Sequence, residues 1–417
     1  MNDTSGATLP PSGTTPSTDQ VSSYGWKALA GSAIGYAMDG FDLLILGFML
    51  SAISKDLSLT PGQAGSLVTW TLVGAVAGGI LFGALSDRFG RIRVLTWTIV
   101  LFAVFTGLCA FAQGYWDLLI YRTIAGLGLG GEFGIGMALA AEAWPAKHRA
   151  RVSSYVALGW QTGVLLAALL TPLLLPSIGW RGMFLVGMLP ALIAWVIRNK
   201  LHEPEVFVRN AASNKPRGNA FKLLVKDAAT TRVSAGIAIL TSVQNFGYYG
   251  IMIWMPSFLS SKLGFTLTKS SMWTAVTVVG MMIGIWVFGH LADRIGRKPS
   301  FILFQIGAVV MVLVYSRLTD PVEMLWAGAV LGMFVNGMLG GYGALMSEAY
   351  PTEARATAQN VLFNIGRAVG GFGPVTVGAL ASAYSFQAAI GLLATIYVID
   401  LIATVFLIPE LKGKELQ

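Results

Sequence analysis

Gly83-Ala84-Leu85-Ser86-Asp87-Arg88-Phe89-Gly90-Arg91 and Gly289-His290-Leu291-Ala292-Asp293-Arg294-Ile295-Gly296-Arg297 are near copies of one another, 206 residues apart (289 minus 83). A second pair keeps the spacing, because Glu142-Ala143-Trp144-Pro145 with Arg149 recurs as Glu348-Ala349-Tyr350-Pro351 with Arg355. Two repeats in one register mean that the two halves are one fold written twice. Composition names the medium of that fold. Of 417 residues 55% are hydrophobic and 12% charged, with mean hydropathy +0.67, a balance that no water-soluble domain of this length carries on its surface.

Apolar runs of about 20 residues, enough to cross hydrocarbon, fall near 27–50, 63–85, 94–113, 116–141, 152–175 and 180–199. They recur near 232–260, 270–292, 299–316, 322–346, 356–381 and 385–409. The expectation is an all-α membrane protein of twelve transmembrane helices, in two six-helix bundles related by pseudo-twofold symmetry. The bundles are expected over 27–200 and 232–409. A cytoplasmic linker over 201–231, polar and basic, joins them, and a cytoplasmic tail follows over 410–417. Residues 1–26, rich in Ser, Thr and Pro and without Lys or Arg, lack the basic start of a secretory signal and read as a disordered cytoplasmic tail.

Positive charge sets the orientation. With the N-terminus inside, 21 Lys and Arg fall on the cytoplasmic side and 5 outside, which leaves Arg122 and Arg367 within the membrane. The net charge of +8 is then a topology signal rather than a mark of nucleic-acid binding. Cys109, the one cysteine, sits in an apolar run and is read as packing. His148, His202 and His290 lack metal-ligand spacing, so no metal and no cofactor is expected. Gly126, Gly128 and Gly131 match a dinucleotide pattern, but within a membrane helix with no preceding strand they read as close helix packing. No P-loop, His-Glu-x-x-His or nucleophile elbow is present, which argues against an enzyme or an ATP-driven pump.

The loops after the second and eighth predicted helices resemble the signature loop of the major facilitator superfamily, and the Glu-x-x-Pro-x-x-x-Arg stretches after the fourth and tenth resemble its companion. The resemblance spans about 27–409 and departs at Ile92, where the family usually carries a second basic residue; the other copy keeps one as Lys298. Asp39-Gly40-Phe41-Asp42 in helix 1, and Arg122 through Gly126-Leu127-Gly128-Leu129-Gly130-Gly131-Glu132 in helix 4, resemble the proton symporters for organic acids. The sialate and monocarboxylate branch stands nearest in this reading, with the aromatic-acid branch close behind. The resemblance implies a secondary active transporter in the cell inner membrane, working as a monomer by alternating access and importing an organic acid anion together with protons.

The loop charges have a reading of their own. Asp87, Arg88, Arg91, Glu142 and Arg149, with Asp293, Arg294, Arg297, Glu348 and Arg355, cluster at one surface and can latch the bundles in an outward-facing state. Topology anchoring would not need the duplicated acids. Five charges stand inside the hydrocarbon, Asp39, Asp42, Arg122, Glu132 and Arg367, each costing about 2.5–3.5 kcal/mol on insertion scales and so a functional candidate. Asp39 and Asp42 are three apart and share a helix face. Proton coupling is expected of at least one of Asp39, Asp42 and Glu132, the alternative for this cluster being a structural pair with Arg122.

Asn360, Asn364 and Arg367 form a polar stripe at spacings of four and three. A guanidinium keeps its charge and matches a carboxylate through two parallel hydrogen bonds, so Arg367 is the expected substrate anchor, an internal ion pair being the alternative for it, with Arg122 as second candidate anchor. The repeat offset pairs Arg367 with Gln161, Asp39 with Asn245 and Asp42 with Tyr248, which places polar side chains of both bundles around the central axis. Gln244, Asn245, Tyr248 and Asn336 are either substrate contacts or inter-helix hydrogen bonds. The alternative function is a drug or metabolite/proton antiporter of the same fold; such antiporters usually carry Gly-Pro-x-x-Gly-Gly in helix 5, where this chain has Ala157-Leu158-Gly159-Trp160-Gln161-Thr162-Gly163.

Overall fold

The computed structural model describes residues 21–199, 201–204, 207–209, 219–263, 267–414 and 416. Most of the predicted tail over 1–26, residues 205–206 and 210–218 of the predicted linker, and 415 and 417 of the C-terminal tail lie outside the described residues. Among the described residues the secondary structure is helical, without a strand.

The helices group into twelve spans. The first bundle holds Ser23–Asp56, Pro61–Phe89, Arg91–Cys109, and a fourth span made of Tyr115–Gly130 and Glu132–Ala143. Arg149–Gly187 carries the fifth span and, beyond a break at Gly179 (φ 65°, ψ 177°), the start of the sixth, which ends with Leu189–Arg198. The second bundle holds Ala228–Leu263, Leu267–Ile295, Arg297–Tyr315, a tenth span of Pro321–Gly337 and Leu339–Ala349, an eleventh of Arg355–Gly370 and Gly373–Ala383, and Phe386–Leu407. Nine stretches among the described residues are long and apolar enough to cross a membrane, one of them, Ala146–Ile197, containing both the fifth and sixth spans.

Helix starts follow local chemistry. Thr60 and Gln63 form a capping box ahead of Pro61, and Asp320 caps ahead of Pro321, each satisfying amides that have no intrahelical partner. The first helix begins at Ser23 under a Ser22 cap, inside the segment read as a tail, because capping lets the ladder of hydrogen bonds run on past the apolar stretch.

The pairing of helices repeats between the halves. The first span packs most extensively on the fifth and the second on the fourth; in the other bundle the seventh packs on the eleventh and the eighth on the tenth. Between bundles the fifth meets the eighth and the second meets the eleventh. Glycines make the closest approaches possible: a Cβ at Gly126 would strike the Thr71 carbonyl oxygen and one at Gly130 that of Ala75, so the fourth and second spans touch backbone to backbone. Large apolar side chains such as Phe111, Trp116, Leu173 and Phe406 are more than half exposed on the outer surface. That surface is apolar where the axis is polar, as a protein dissolved in lipid requires.

Candidate functional site

Two places concentrate charge, one end of the bundle pair and its axis. At the end carrying the duplicated loops, Arg91 pairs with Asp87 at 2.6 Å and with Glu142 at 3.1 Å. Arg297 does the same with Asp293 at 3.1 Å and Glu348 at 2.7 Å. The two networks then cross between bundles. Glu142 takes Arg355 at 2.6 Å and Glu348 takes Arg149 at 3.0 Å. The Asp87 carboxylate accepts from the backbone amides of Ala356 (3.2 Å) and Thr357 (2.8 Å), and Asp293 accepts from those of Ala150 (3.0 Å) and Arg151 (3.1 Å). Each aspartate therefore caps the first turn of a helix in the opposite bundle, where amides and helix dipole favour a negative charge. Of the ten residues expected in this cluster, Arg88 and Arg294 are exposed, with Arg88 over the Phe89 ring. Seven of the others are buried within the network, and Glu142, half-buried as a residue, keeps its side chain fully covered there.

The sequence reading left out a third duplicated element. Glu203 accepts from the amides of Arg91 (2.7 Å) and Arg93 (3.1 Å), and Glu410 from those of Arg297 (3.0 Å) and Lys298 (3.0 Å). The carboxylates sit against Gly90 and Gly296, whose φ of 111° and 110° suits glycine and whose missing Cβ leaves the room they occupy. Their register is 207 rather than 206, and the surrounding residues differ, so repetition by itself did not expose them.

On the axis, a narrow cavity is lined by Tyr36, Trp160, Gln244, Asn245, Tyr248 and Tyr249, with Asn336, Leu339, Phe363 and Arg367. Arg367 reaches across from the eleventh span to Asp39 of the first at 3.5 Å, longer than a hydrogen bond. Both Asp39 oxygens and Arg367 Nε have no hydrogen-bond partner among the described residues. The guanidinium lies 5.7 Å from the Trp160 ring and 5.6 Å from that of Phe363. Phe363 stacks on Phe133 at 3.8 Å, and Tyr36 bridges Phe133 and Trp160 at 5.2 and 5.3 Å. A buried guanidinium, weakly held and walled by aromatic faces, can take a carboxylate through two parallel hydrogen bonds. Gln244 donates to Asn336 at 2.6 Å, and Asn245 to the Thr241 carbonyl at 2.8 Å.

Other expected site residues stand elsewhere. Arg122 makes a two-pronged contact with Asp42, at 2.9 and 2.7 Å, donates to Thr71 at 3.3 Å and lies over Phe184, all four fully buried. It does not line the cavity. Asp39 and Asp42, read as one face, thus address arginines on different spans. Glu132 accepts from Thr98 at 3.0 Å and does not line the cavity. Gln161 is buried with neither end of its carboxamide hydrogen-bonded among the described residues. Asn360 and Asn364 leave the cavity altogether: Asn360 accepts from the Gly134 amide at 3.2 Å, and the two carboxamides fill space that a Cβ at Gly79, Gly83 or Gly134 would claim. They serve the contact between bundles.

The Asp42–Arg122 pair carries a stability prediction. Asp42→Asn strands a buried guanidinium and should destabilise the fold by about 3–5 kcal/mol, whereas removing both charges in Asp42→Leu/Arg122→Met should cost far less. Thermal unfolding in detergent checks this. A single mutant as stable as the wild type would show that the pair is not structural.

One buried charge was absent from the expectations. Asp400, in the twelfth span, is fully buried, so the hydrocarbon holds at least six ionisable groups and not the five read from the sequence. It lies in the most apolar of the candidate spans, at mean hydropathy 2.3, and no repeat motif points to it.

The model of the family described as the Major Facilitator Superfamily matches residues 32–287 and 237–416. A Haemophilus influenzae protein, whose name assigns it to metabolite transport and gives no substrate, is 76% identical over 405 residues, 96% of this chain and 100% of its own. A cis,cis-muconate transport protein of Acinetobacter baylyi is 31% identical over 369 residues, 87% of this chain and 89% of its own. The solved structure of the proton:xylose symporter XylE, 19% identical, superposes with a TM-score of 0.81 over 95% of this chain and 98% of that one. It shows the fold: two bundles of six spans, met here with the duplicated loops crossed between them. The protein is a multi-pass transporter and not an enzyme, and the chain belongs to the major facilitator superfamily.

Proposed function

We propose that the protein is a proton-coupled symporter importing a small, flat organic acid by alternating access, with Arg367 as the anchor of the substrate carboxylate and Asp39 as the proton carrier. The observation that carries this reading is the 3.5 Å contact between Asp39 and Arg367 inside an aromatic cavity. An anion entering the cavity competes with Asp39 for Arg367. A proton on Asp39 removes its charge, frees the guanidinium and lets the substrate make the paired contact, so the two cargoes bind together or not at all. The aromatic walls favour an unsaturated or aromatic acid over a polyhydroxylated one, in line with the muconate carrier among the relatives.

We further place the crossed end in the cytoplasm with both termini, and the chain in the cell inner membrane as a functional monomer. In this reading 27–200 and 232–409 are the moving bundles, 201–231 their linker, and the crossed caps a latch that holds the cytoplasmic side shut. Asp87→Ala removes one cap. A cysteine placed at Ser154, a buried residue that donates to the Gly340 carbonyl between the bundles, should then label several-fold faster with a membrane-impermeant thiol reagent applied from the cytoplasmic side. Unchanged labelling would reduce the loop charges to anchors.

The transport reading is tested in proteoliposomes with lactate, sialate, shikimate, benzoate, cis,cis-muconate and sugar acids, with and without an inward proton gradient. Unsaturated or aromatic acids should accumulate best, and a protonophore should abolish accumulation. Accumulation above equilibrium with pH gradient and potential both held at zero would overturn the coupling.

A further inference from the structure

Asp400 has no part in the mechanism above, yet it is the one ionisable carboxyl in the membrane part of the second bundle. It is fully buried, and both of its oxygens lack a hydrogen-bond partner among the described residues. No ion pair to it is present there either. The groups around it are neutral. From the ninth span comes Gln305, whose amide donates to Thr404 at 2.7 Å and whose oxygen is unpartnered. From the tenth comes Tyr342, which donates to the Leu240 carbonyl at 3.0 Å. The second half of the eleventh span, Gly373–Ala383, has no ionisable residue. The basic side chains at this end of the bundle are occupied: Lys298 donates to the Val405 carbonyl at 2.7 Å, Arg232 to that of Phe406, and Arg297 pairs with Asp293 and Glu348. A carboxylate ion in such a place has no counter-charge and no hydrogen-bond donor in position among the described residues, which favours the protonated form of Asp400 in this conformation.

A route to the cavity accompanies it. Tyr397, three residues earlier on the same helix face as Asp400, is fully buried with its hydroxyl unpartnered among the described residues. That hydroxyl presses on the seventh span at Gly247, where no Cβ would fit. Gly247 stands between Asn245 and Tyr248, which line the cavity, and the cavity's Gln244 has its own carbonyl oxygen unpartnered. Buried polar atoms without partners call for an explanation; here they include Gln244 at the cavity, Tyr397 against the seventh span, and Asp400 and Gln305 beyond it.

We propose that Asp400 is a second proton-carrying carboxyl, exchanging with the substrate cavity through the Tyr397 hydroxyl as the bundles rearrange. Only O–H bonds change: the proton leaves the Asp400 carboxyl for the hydroxyl, which passes one of its own to cavity water, and the return reverses this. The proposal rests on the coupling reading for its use in transport, but its first test needs no substrate.

That test is infrared difference spectroscopy of the full chain in lipid, scanning pH over the range in which the protein stays folded. The wild type should show a carbonyl stretch of a buried protonated carboxyl that fades as pH rises, lost in Asp400→Asn and kept in Asp39→Asn. Hydrogen–deuterium exchange of this band should slow several-fold in Tyr397→Phe. If Asp400→Asn removes no titrating band, or Tyr397→Phe leaves the exchange rate unchanged, the proposal is overturned. The second readout is proton movement per cis,cis-muconate taken up, expected to lose one proton in Asp400→Asn while muconate exchange persists. A wild type with no muconate-driven proton movement sinks the coupling reading and, with it, the use of Asp400 in transport; the infrared band decides independently whether Asp400 titrates.

Discussion

Arg367→Ala should weaken binding of the transported acid by about 3–5 kcal/mol, two to more than three orders of magnitude in Kd. The reason is the missing alternative. Arg367 is buried on the axis, and its anionic contact among the described residues, Asp39, stands at 3.5 Å, so an incoming carboxylate gains a charged fork of donors that no other residue lining the cavity supplies. Arg367→Lys keeps the charge but loses the fork of parallel donors, and a weakening of about tenfold or more is expected. Amide and ester analogues of the acid should bind wild type and mutants equally poorly. Isothermal titration on purified protein separates these cases. Were Arg367→Ala to bind the acid normally and fail only to transport it, the arginine would belong to the gate, and the anchor would have to be another donor of the cavity.

The second large effect belongs to Asp39. Asp39→Asn mimics the protonated carboxyl in shape and charge but cannot release a proton, so concentrative uptake should vanish while exchange of labelled for unlabelled substrate continues. Its affinity should also lose its pH dependence. In the wild type, raising pH returns Asp39 to the ion and Arg367 to its embrace, so substrate affinity falls as pH rises; in the mutant Arg367 is free at every pH. Surviving accumulation in Asp39→Asn would move the proton to Glu132 or Asp400, because Asp42 is spent on Arg122 at 2.9 and 2.7 Å.

Much of this was legible before any coordinates. The duplicated loops in one register implied two copies of one bundle, and the structure has them, down to helix pairings that repeat. Arg367, Asp39, Gln244, Asn245, Tyr248 and Asn336 were readable as axial because charge and amide groups in hydrocarbon need a reason. What escaped has a physical cause in each instance. Asn360 and Asn364 share a face with Arg367, but along two turns of one helix the neighbour on that face changes from the cavity to the glycines of the second and fourth spans. Arg122 and Asp42 are separated by 80 residues, and sequence leaves open whether such charges meet each other or a ligand. Asp400 lies in so apolar a run that its single charge did not disturb the pattern. The capping role of Asp87 and Asp293 could not be read at all, since the amides they serve lie 269 and 143 residues away.

Those caps bear on how the chain is made. The helices opening at Arg149 and Arg355 receive no side-chain hydrogen bond from their own cap positions, His148 and Ala354; the acceptor comes from the other bundle in each case. A ribosome threading this protein into a membrane completes the fifth span long before Asp293 exists, so the first half waits at that end with bare amides and with Glu142 lacking Arg355. The second half meets its acceptor, Asp87, already in place. Biogenesis is thereby ordered: the early bundle is a template that the late bundle completes, and the two halves expressed as separate polypeptides should find one another in the bilayer, with the early one the more readily degraded when it is alone.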